Sequence, residues 1–96
     1  MSTAATDETL KPEIELLSRS FQELIVARGA LRLQIIAAER SKLSLRRLRK
    51  AEKAIQRQAL NILTDLHALG LSRSEVGAIY RKAELEDTRR NGAVQV

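Results

Sequence analysis

Apolar residues recur every three or four positions between Ile14 and Leu69, and this spacing limits what the chain can fold into. In its first part the pattern is interrupted only at Arg28. The apolar members of that part are Ile14, Leu17, Phe21, Leu24, Leu31, Ile35 and Ala38. Because this is the period of one helix face, it predicts a long first helix from about Lys11 to Arg40. Such a helix, about 40 Å long, needs a long neighbour or a second chain to cover its apolar face.

Two shorter helices follow from the same reasoning. Ser44 can cap a second helix, which Gly70 ends as a left-handed C-terminal residue. The inward positions of this helix are Leu45, Leu48, Glu52, Ile55, Ala59, Ile62, Leu66 and Leu69. Ser72, with Glu75 at the spacing of a capping box, starts a third helix. Its apolar face is Val76, Ile79, Tyr80 and Ala83. With no β-period alternation in the chain, the expected fold is all-α, with three helices of decreasing length.

The chain has room for one folded domain. Its length of 96 residues is too short for two independent hydrophobic cores. Residues 1–9 are polar and are expected to form a disordered tail, because Pro12 is tolerated only in the first turn of a helix. We therefore expect a single helical domain over residues 10–91 and a C-terminal tail over 92–96.

The composition excludes several kinds of chemistry. Without cysteine, the chain has no disulfide, no thiol nucleophile and no cysteine-ligated metal site. His67 is the only histidine, which excludes a metal site built from several histidines, and no cofactor or metal is expected. No run of about 18 apolar residues is present, and Met1–Thr9 lacks the features of a signal peptide. We therefore expect a cytoplasmic protein without a membrane segment.

Positive charge is concentrated in one segment. The formal net charge is +5, and residues 44–60 alone hold six basic residues against one acidic residue. The basic residues are Arg46, Arg47, Arg49, Lys50, Lys53 and Arg57. Such a stretch suits nucleic acid, an acidic partner protein or a small dianion. A solvated helix face without a ligand is the plainer interpretation.

Three charged residues interrupt the inward stripes of the predicted helices, namely Lys11, Arg28 and Glu52. A buried charge is costly unless it is paired or bound to a ligand. The three charges therefore indicate a polar cavity inside a helical bundle. The alternatives are a structural Arg28–Glu52 ion pair, or charged side chains that simply extend past the rim of the core into solvent.

Two segments of the chain resemble the all-helical chorismate mutases. The first is Leu10-Lys11-Pro12-Glu13-Ile14-Glu15 with Leu17, Phe21, Leu24-Ile25 and Arg28, and the second is Leu69-Gly70-Leu71 with Val76, Ala78-Ile79-Tyr80-Arg81 and Asn91. The resemblance covers about residues 10–91 and implies an interlocked homodimer of the long first helices. It also implies rearrangement of chorismate, a small dicarboxylate of aromatic amino acid biosynthesis, to prephenate, or action on a related enol-pyruvyl dianion. This pericyclic step needs no nucleophile or cofactor, because cations hold the carboxylates and donors stabilise the ether oxygen.

The resemblance also assigns roles to residues. In that family an arginine from the partner chain completes each site, and Lys11 stands at its position here. Arg28 stands at the in-chain position that binds a carboxylate. Eleven residues later the family has a lysine, whereas this chain has Glu39 followed by Arg40, so neighbouring cations would have to replace that lysine. The implied catalytic residues are Arg28, Arg40, Glu52 and Asn91, and the implied substrate-binding residues are Lys11, Arg28 and Arg47.

Two further functions stay open. Residues 62–82 are similar to the turn and recognition helix of helix-turn-helix DNA-binding regulators, with Gly70 in the turn. In that hypothesis Arg73, Arg81 and Lys82 face DNA. In the other, the chain is a non-catalytic interaction or regulatory protein whose basic second helix docks an acidic partner.

Overall fold

The computed structural model describes residues 10–40 and 45–92 and shows three α-helices in them. Helix α1 spans Lys11–Arg40, α2 spans Arg46–Ala68 and α3 spans Arg73–Asn91. They contain 30, 23 and 19 residues, and the described residues include no strand. The predicted all-α fold with three helices of decreasing length is therefore confirmed. The predicted tail over 1–9, the cap at Ser44 and residues 93–96 lie outside the described residues.

The turn from α2 to α3 has the geometry that its sequence predicts. The Ser72 hydroxyl accepts a hydrogen bond from the Glu75 N–H at 3.1 Å, and the Glu75 carboxylate accepts one from the Ser72 N–H at 2.8 Å. This reciprocal pair is the predicted capping box. Gly70 has a φ of 103°, a conformation that residues with a Cβ rarely adopt. By contrast, α2 begins after Leu45, whose side chain makes no cap hydrogen bond.

Helix α1 is the central element, because it contacts both other helices while α2 and α3 scarcely contact each other. α2 runs antiparallel to α1. Near one end of the pair, Arg49 forms an ion pair with Glu39, with 3.2 Å between Nη2 and Oε2. Near the other end, Ile14 packs on the cluster that contains the fully buried Leu66.

Helix α3 runs parallel to α1, and its C-terminal end lies beside the middle of α1 rather than beside the C-terminal end of α1. The Asn91 amide donates a hydrogen bond to the Val26 carbonyl at 2.9 Å, and Asp87 packs against Gly29. α1 then continues to Arg40, about 16 Å beyond Gly29. The part of α1 beyond Gly29 and the N-terminal part of α2 that packs on it therefore project past the three-helix part. We call this pair of helix ends the arm. The radius of gyration of 15.7 Å exceeds the value of about 12 Å that a compact domain of this length would have.

The apolar core consists of two adjoining clusters along α1. The first contains Phe21, Ile25, Ala59 and Ala83, and the second contains Leu66, Leu71 and Val76. Every predicted inward residue of α2 is buried or half-buried. On α1, however, the predicted stripe is too narrow, since it omits the buried residues Ile25 and Gly29. The covered stripe is wider because α1 packs against two helices rather than one.

The structure corrects the expectation about the inward charges, since none of the charged side chains among the described residues is buried. Lys11 is exposed in the first turn of α1, while Arg28 and Glu52 are half-buried. The Arg28–Glu52 pair is not formed. Glu52 instead accepts a hydrogen bond from Arg32 Nε at 3.2 Å. Arg32 lies one helical turn beyond Arg28 on the same face of α1, and this is the position opposite Glu52.

Candidate functional site

The cations assigned by the mutase resemblance are spread along the molecule. Lys11 lies about 25 Å along α1 from Arg28, as the rise of the helix requires. Arg40 ends α1 about 18 Å beyond Arg28. Arg47 lies in the first turn of α2, and both Arg40 and Arg47 are exposed. One chain alone therefore does not bring these four cations to a common point.

Arg28 and Asn91 lie nearer to each other in the fold. The Asn91 amide donates both to the carbonyl of Val26, two residues before Arg28, and to Asp87 Oδ1 at 2.7 Å. Arg28 is half-buried, and no carboxylate of the described residues lies within 4 Å of it. Glu52, in contrast, is occupied by its ion pair with Arg32.

Two surface grooves follow α1 in the three-helix part. A groove of about 510 Å³ is lined by Arg19, Ser20, Glu23, Leu24 and Gln58. A second groove of about 450 Å³, between α1 and α3, is lined by Ile14, Glu15, Ser18, Arg19, Gln22, Ile79 and Lys82. Neither groove includes a residue assigned by the mutase resemblance. The Ser18 hydroxyl donates to the Ile14 carbonyl at 2.8 Å, so it is engaged with the backbone rather than presented as a nucleophile.

An ionic cluster fixes the C-terminal turn of α3 to α1. Arg90 donates to both carboxylate oxygens of Glu23, each at 3.0 Å, and to Glu86 at 2.6 Å. Arg89 also bonds Glu86. Hydrogen bonds from Arg89 and Arg90 lower the pKa of Glu86 to about 2, and the hydrogen bonds that Arg90 donates to Glu23 and Glu86 raise the pKa of Arg90. Two positive and two negative charges neutralise one another in this cluster. Its ion pairs therefore attach α3 to α1 and leave little charge to bind a ligand.

A row of cations covers the outer side of α2, from the arm to the edge of the three-helix part. Its members follow at steps of four, three and four residues, which places them on one helix face. They are Arg46, Lys50, Lys53 and Arg57, and we call them the basic row. Each lies two residues before an inward position (Leu48, Glu52, Ile55, Ala59), which is about 200° around the helix. The basic row therefore faces away from α1, and all four residues are exposed.

Among the described residues, no acidic side chain pairs with the basic row. Glu52 is the only acid between Arg40 and Asp65 in the sequence, and it faces α1, where Arg32 binds it. Among the described residues, no carboxylate lies within 4 Å of any member of the basic row. The row is about 16 Å long, with its charges about one helical turn apart. Such a line of charges suits an extended polyanion better than a compact dianion.

Comparison with models of known protein families, with characterised proteins and with solved structures gave no match. None of the described helices combines the length and the apolar character needed to cross a bilayer. Within residues 10–40 and 45–92, no three side chains of metal-ligating type come together. Of the features described above, the basic row is the one whose side chains all carry the same charge, which calls for an anionic ligand.

Proposed function

We propose that this chain is a non-catalytic nucleic-acid-binding protein, whose arm contacts phosphate groups through the basic row. The observation that supports this proposal is the alignment of four exposed cations on one face of α2 with no acid among them. Duplex DNA carries about one negative charge per 1.7 Å of its axis. A line of cations about 16 Å long therefore meets several phosphates at once, whereas a compact dianion meets one or two of the cations.

An anionic membrane fits this surface less well. Helices that lie in a membrane interface bury their apolar face among the lipids. The apolar face of α2 is already packed on α1, where Ala59 is buried and Ile55 is half-buried. Among its described residues, the arm therefore offers a membrane its charges and the exposed Leu33 of α1, but not a continuous apolar face.

An acidic protein also fits this surface less well than nucleic acid does. Protein interfaces take most of their binding energy from a few anchors that are fully desolvated in well-packed pockets, and aromatic side chains are prominent among them. Between Arg46 and Gln58 the outer side of α2 offers charged and polar side chains together with the small Ala51 and Ala54. Phosphate contacts need no apolar anchor, because they rest on charge and hydrogen bonds.

The proposal is tested by fluorescence anisotropy with a labelled duplex of mixed sequence. A row variant carries Arg46→Gln, Lys50→Gln, Lys53→Gln and Arg57→Gln. A control variant loses four other exposed cations through Arg19→Gln, Arg73→Gln, Arg81→Gln and Lys82→Gln, so both variants have the same net charge. Circular dichroism checks that each variant keeps its helices. We expect the row variant to lose about tenfold or more in affinity at low salt, and the control variant to lose much less.

Three results would contradict the proposal. One is a wild-type protein that does not bind the duplex even at low salt. Another is a control variant that loses as much affinity as the row variant or more, which would favour net charge alone or the helix-turn-helix hypothesis with α3. The third is displacement of the duplex by polyglutamate at equal charge, which would favour an acidic protein partner.

The chorismate mutase-like function and its homodimer stay a prediction, with one observation in their favour. Arg28 is half-buried and lacks a carboxylate partner among the described residues, as an arginine that binds a substrate carboxylate would. The test is a spectrophotometric assay of chorismate loss, with Arg28→Ala and the exposed-site control Arg19→Ala. Turnover that only Arg28→Ala abolishes would support the hypothesis, and the absence of turnover at high protein concentration would contradict it.

A further inference from the structure

We infer that the arm binds double-stranded nucleic acid in preference to single strands. This inference rests on the proposed function and specifies the ligand of the same basic row. It follows from what surrounds the row, from how firmly the row is held, and from the charge density of the two kinds of ligand.

The surface around the basic row offers no aromatic ring. Proteins that hold single strands without sequence preference stack the bases on aromatic side chains. This chain has two aromatic residues, Phe21 and Tyr80. Phe21 is fully buried, and the half-buried Tyr80 packs on it with 5.5 Å between the ring centroids. Phe21 shares a cluster with Ala59 on the inward face of α2, so these rings lie on the side of α2 opposite to the row.

The helix that carries the basic row is held against α1. Two ion pairs join α2 to α1 beyond Leu48, one between Arg49 and Glu39 and one between Glu52 and Arg32, each at 3.2 Å. Duplex DNA is itself stiff, with a persistence length of about 50 nm. Two stiff partners lose little conformational freedom when they align, whereas a flexible single strand has to be ordered along the row.

The duplex also gains more from each phosphate contact. Each contact contributes about 0.9 to the salt dependence of binding for B-form duplex and about 0.7 for single strands, because the duplex condenses more counterions. On one flank of the row, the exposed side chains of Ala51 and Ala54 are short. A phosphate backbone can therefore approach α2 closely at that flank.

Competition with a labelled duplex tests this inference. Unlabelled duplex, each of its separate strands and an oligothymidine of the same length are added at equal phosphate concentration. We expect the duplex to compete at least about fivefold better than any single strand, since each of its contacts releases more counterion. The variant Ala54→Tyr adds an aromatic ring beside the row, and we expect it to raise single-strand affinity by about fivefold or more while duplex affinity changes little.

The outcomes separate this inference from the proposed function. If single strands compete as well as the duplex, or better, while the row variant still weakens binding, the inference is overturned and the proposed function stands. If neither ligand binds at low salt, the proposed function fails and the inference fails with it. Duplex preference together with a gain in single-strand affinity from Ala54→Tyr would support both.

Discussion

At the scale of single residues, Glu86 shows how the fold uses charge for its own stability. Its carboxylate accepts hydrogen bonds from Arg89 and Arg90, which lower its pKa from 4.5 to about 2. Arg90 in turn holds Glu23 of α1. One carboxylate therefore helps to position the arginine that fastens the end of α3 to α1.

This arrangement predicts a pH dependence of stability. Because the folded protein holds Glu86 ionised more strongly than the unfolded chain does, its contribution is complete above about pH 5 and is lost as the pH falls from about 4 towards 2. The variant Glu86→Gln lacks this contribution at every pH. Urea midpoints at pH 6 and pH 3 should therefore fall less in Glu86→Gln than in the wild-type protein. An equal fall in both would show that Glu86 is not linked to folding.

At Gly29, the Asp87 side chain of α3 lies directly against α1. A Cβ at this position would overlap with the carboxylate of Asp87, which Asn91 holds by a hydrogen bond. We expect Gly29→Ala to lower the free energy of unfolding by about 1–3 kcal/mol, although alanine favours a helix by about 1 kcal/mol.

Gly77→Ala is the matched control for Gly29→Ala. A Cβ at Gly77 would meet only Arg81 Nη1, at an ordinary 3.5 Å, so this change should stabilise the protein through helix propensity. Chemical denaturation of both variants measures the difference. Equal stability of the two variants would contradict the account of the Gly29 contact.

At the scale of helices, the capping box formed by Ser72 and Glu75 fixes where α3 begins. The Ser72 hydroxyl satisfies the N–H of Glu75, so Ser72→Ala should cost about 1 kcal/mol of stability. Ser74 lies two residues on, inside the first turn, and is exposed. Ser74→Ala should therefore change the unfolding free energy by much less. A similar cost for both variants in urea denaturation would mean that the capping box does not stabilise α3.

The sequence predicts those features of the helices that depend on neighbouring residues. The capping box at Ser72, the turn at Gly70 and the inward face of α2 are confirmed because turn and helix geometry are local. The sequence does not predict features that depend on register between helices. Glu52 pairs with Arg32 rather than Arg28, since a shift of one turn along α1 leaves the apolar pattern intact.

The candidate site was likewise only partly predictable. The basic segment was evident as six cations near one another in sequence. Their division into an outward row and flanking residues follows from the helical period. The shorter third helix is predicted from the sequence, but the point on α1 at which it ends, and hence the arm beyond that point, is not. That depends on where α3 meets Val26 and Gly29 of α1, a contact between distant parts of the chain.

At the scale of the whole molecule, the unequal lengths of the helices divide the structure into a three-helix part, which contains the core, and the arm. The three-helix part holds both apolar clusters and the ionic cluster at Glu86. The arm, where α1 and α2 continue beyond α3, carries most of the basic row, which ends at Arg57 on the edge of the three-helix part. A molecule of this shape presents its excess positive charge away from Glu13 and Glu15, which lie near the start of α1.

The salt dependence of duplex binding tests the central claim most directly. Each phosphate contact contributes about −0.9 to the slope of log K against log salt concentration, so four contacts from the basic row predict a slope of about −3.6 or steeper. The row variant with four glutamines should have a slope that is shallower by about this amount, while the control variant should keep the wild-type slope. A wild-type slope near zero, or an unchanged slope in the row variant, would contradict the claim that the basic row binds phosphates.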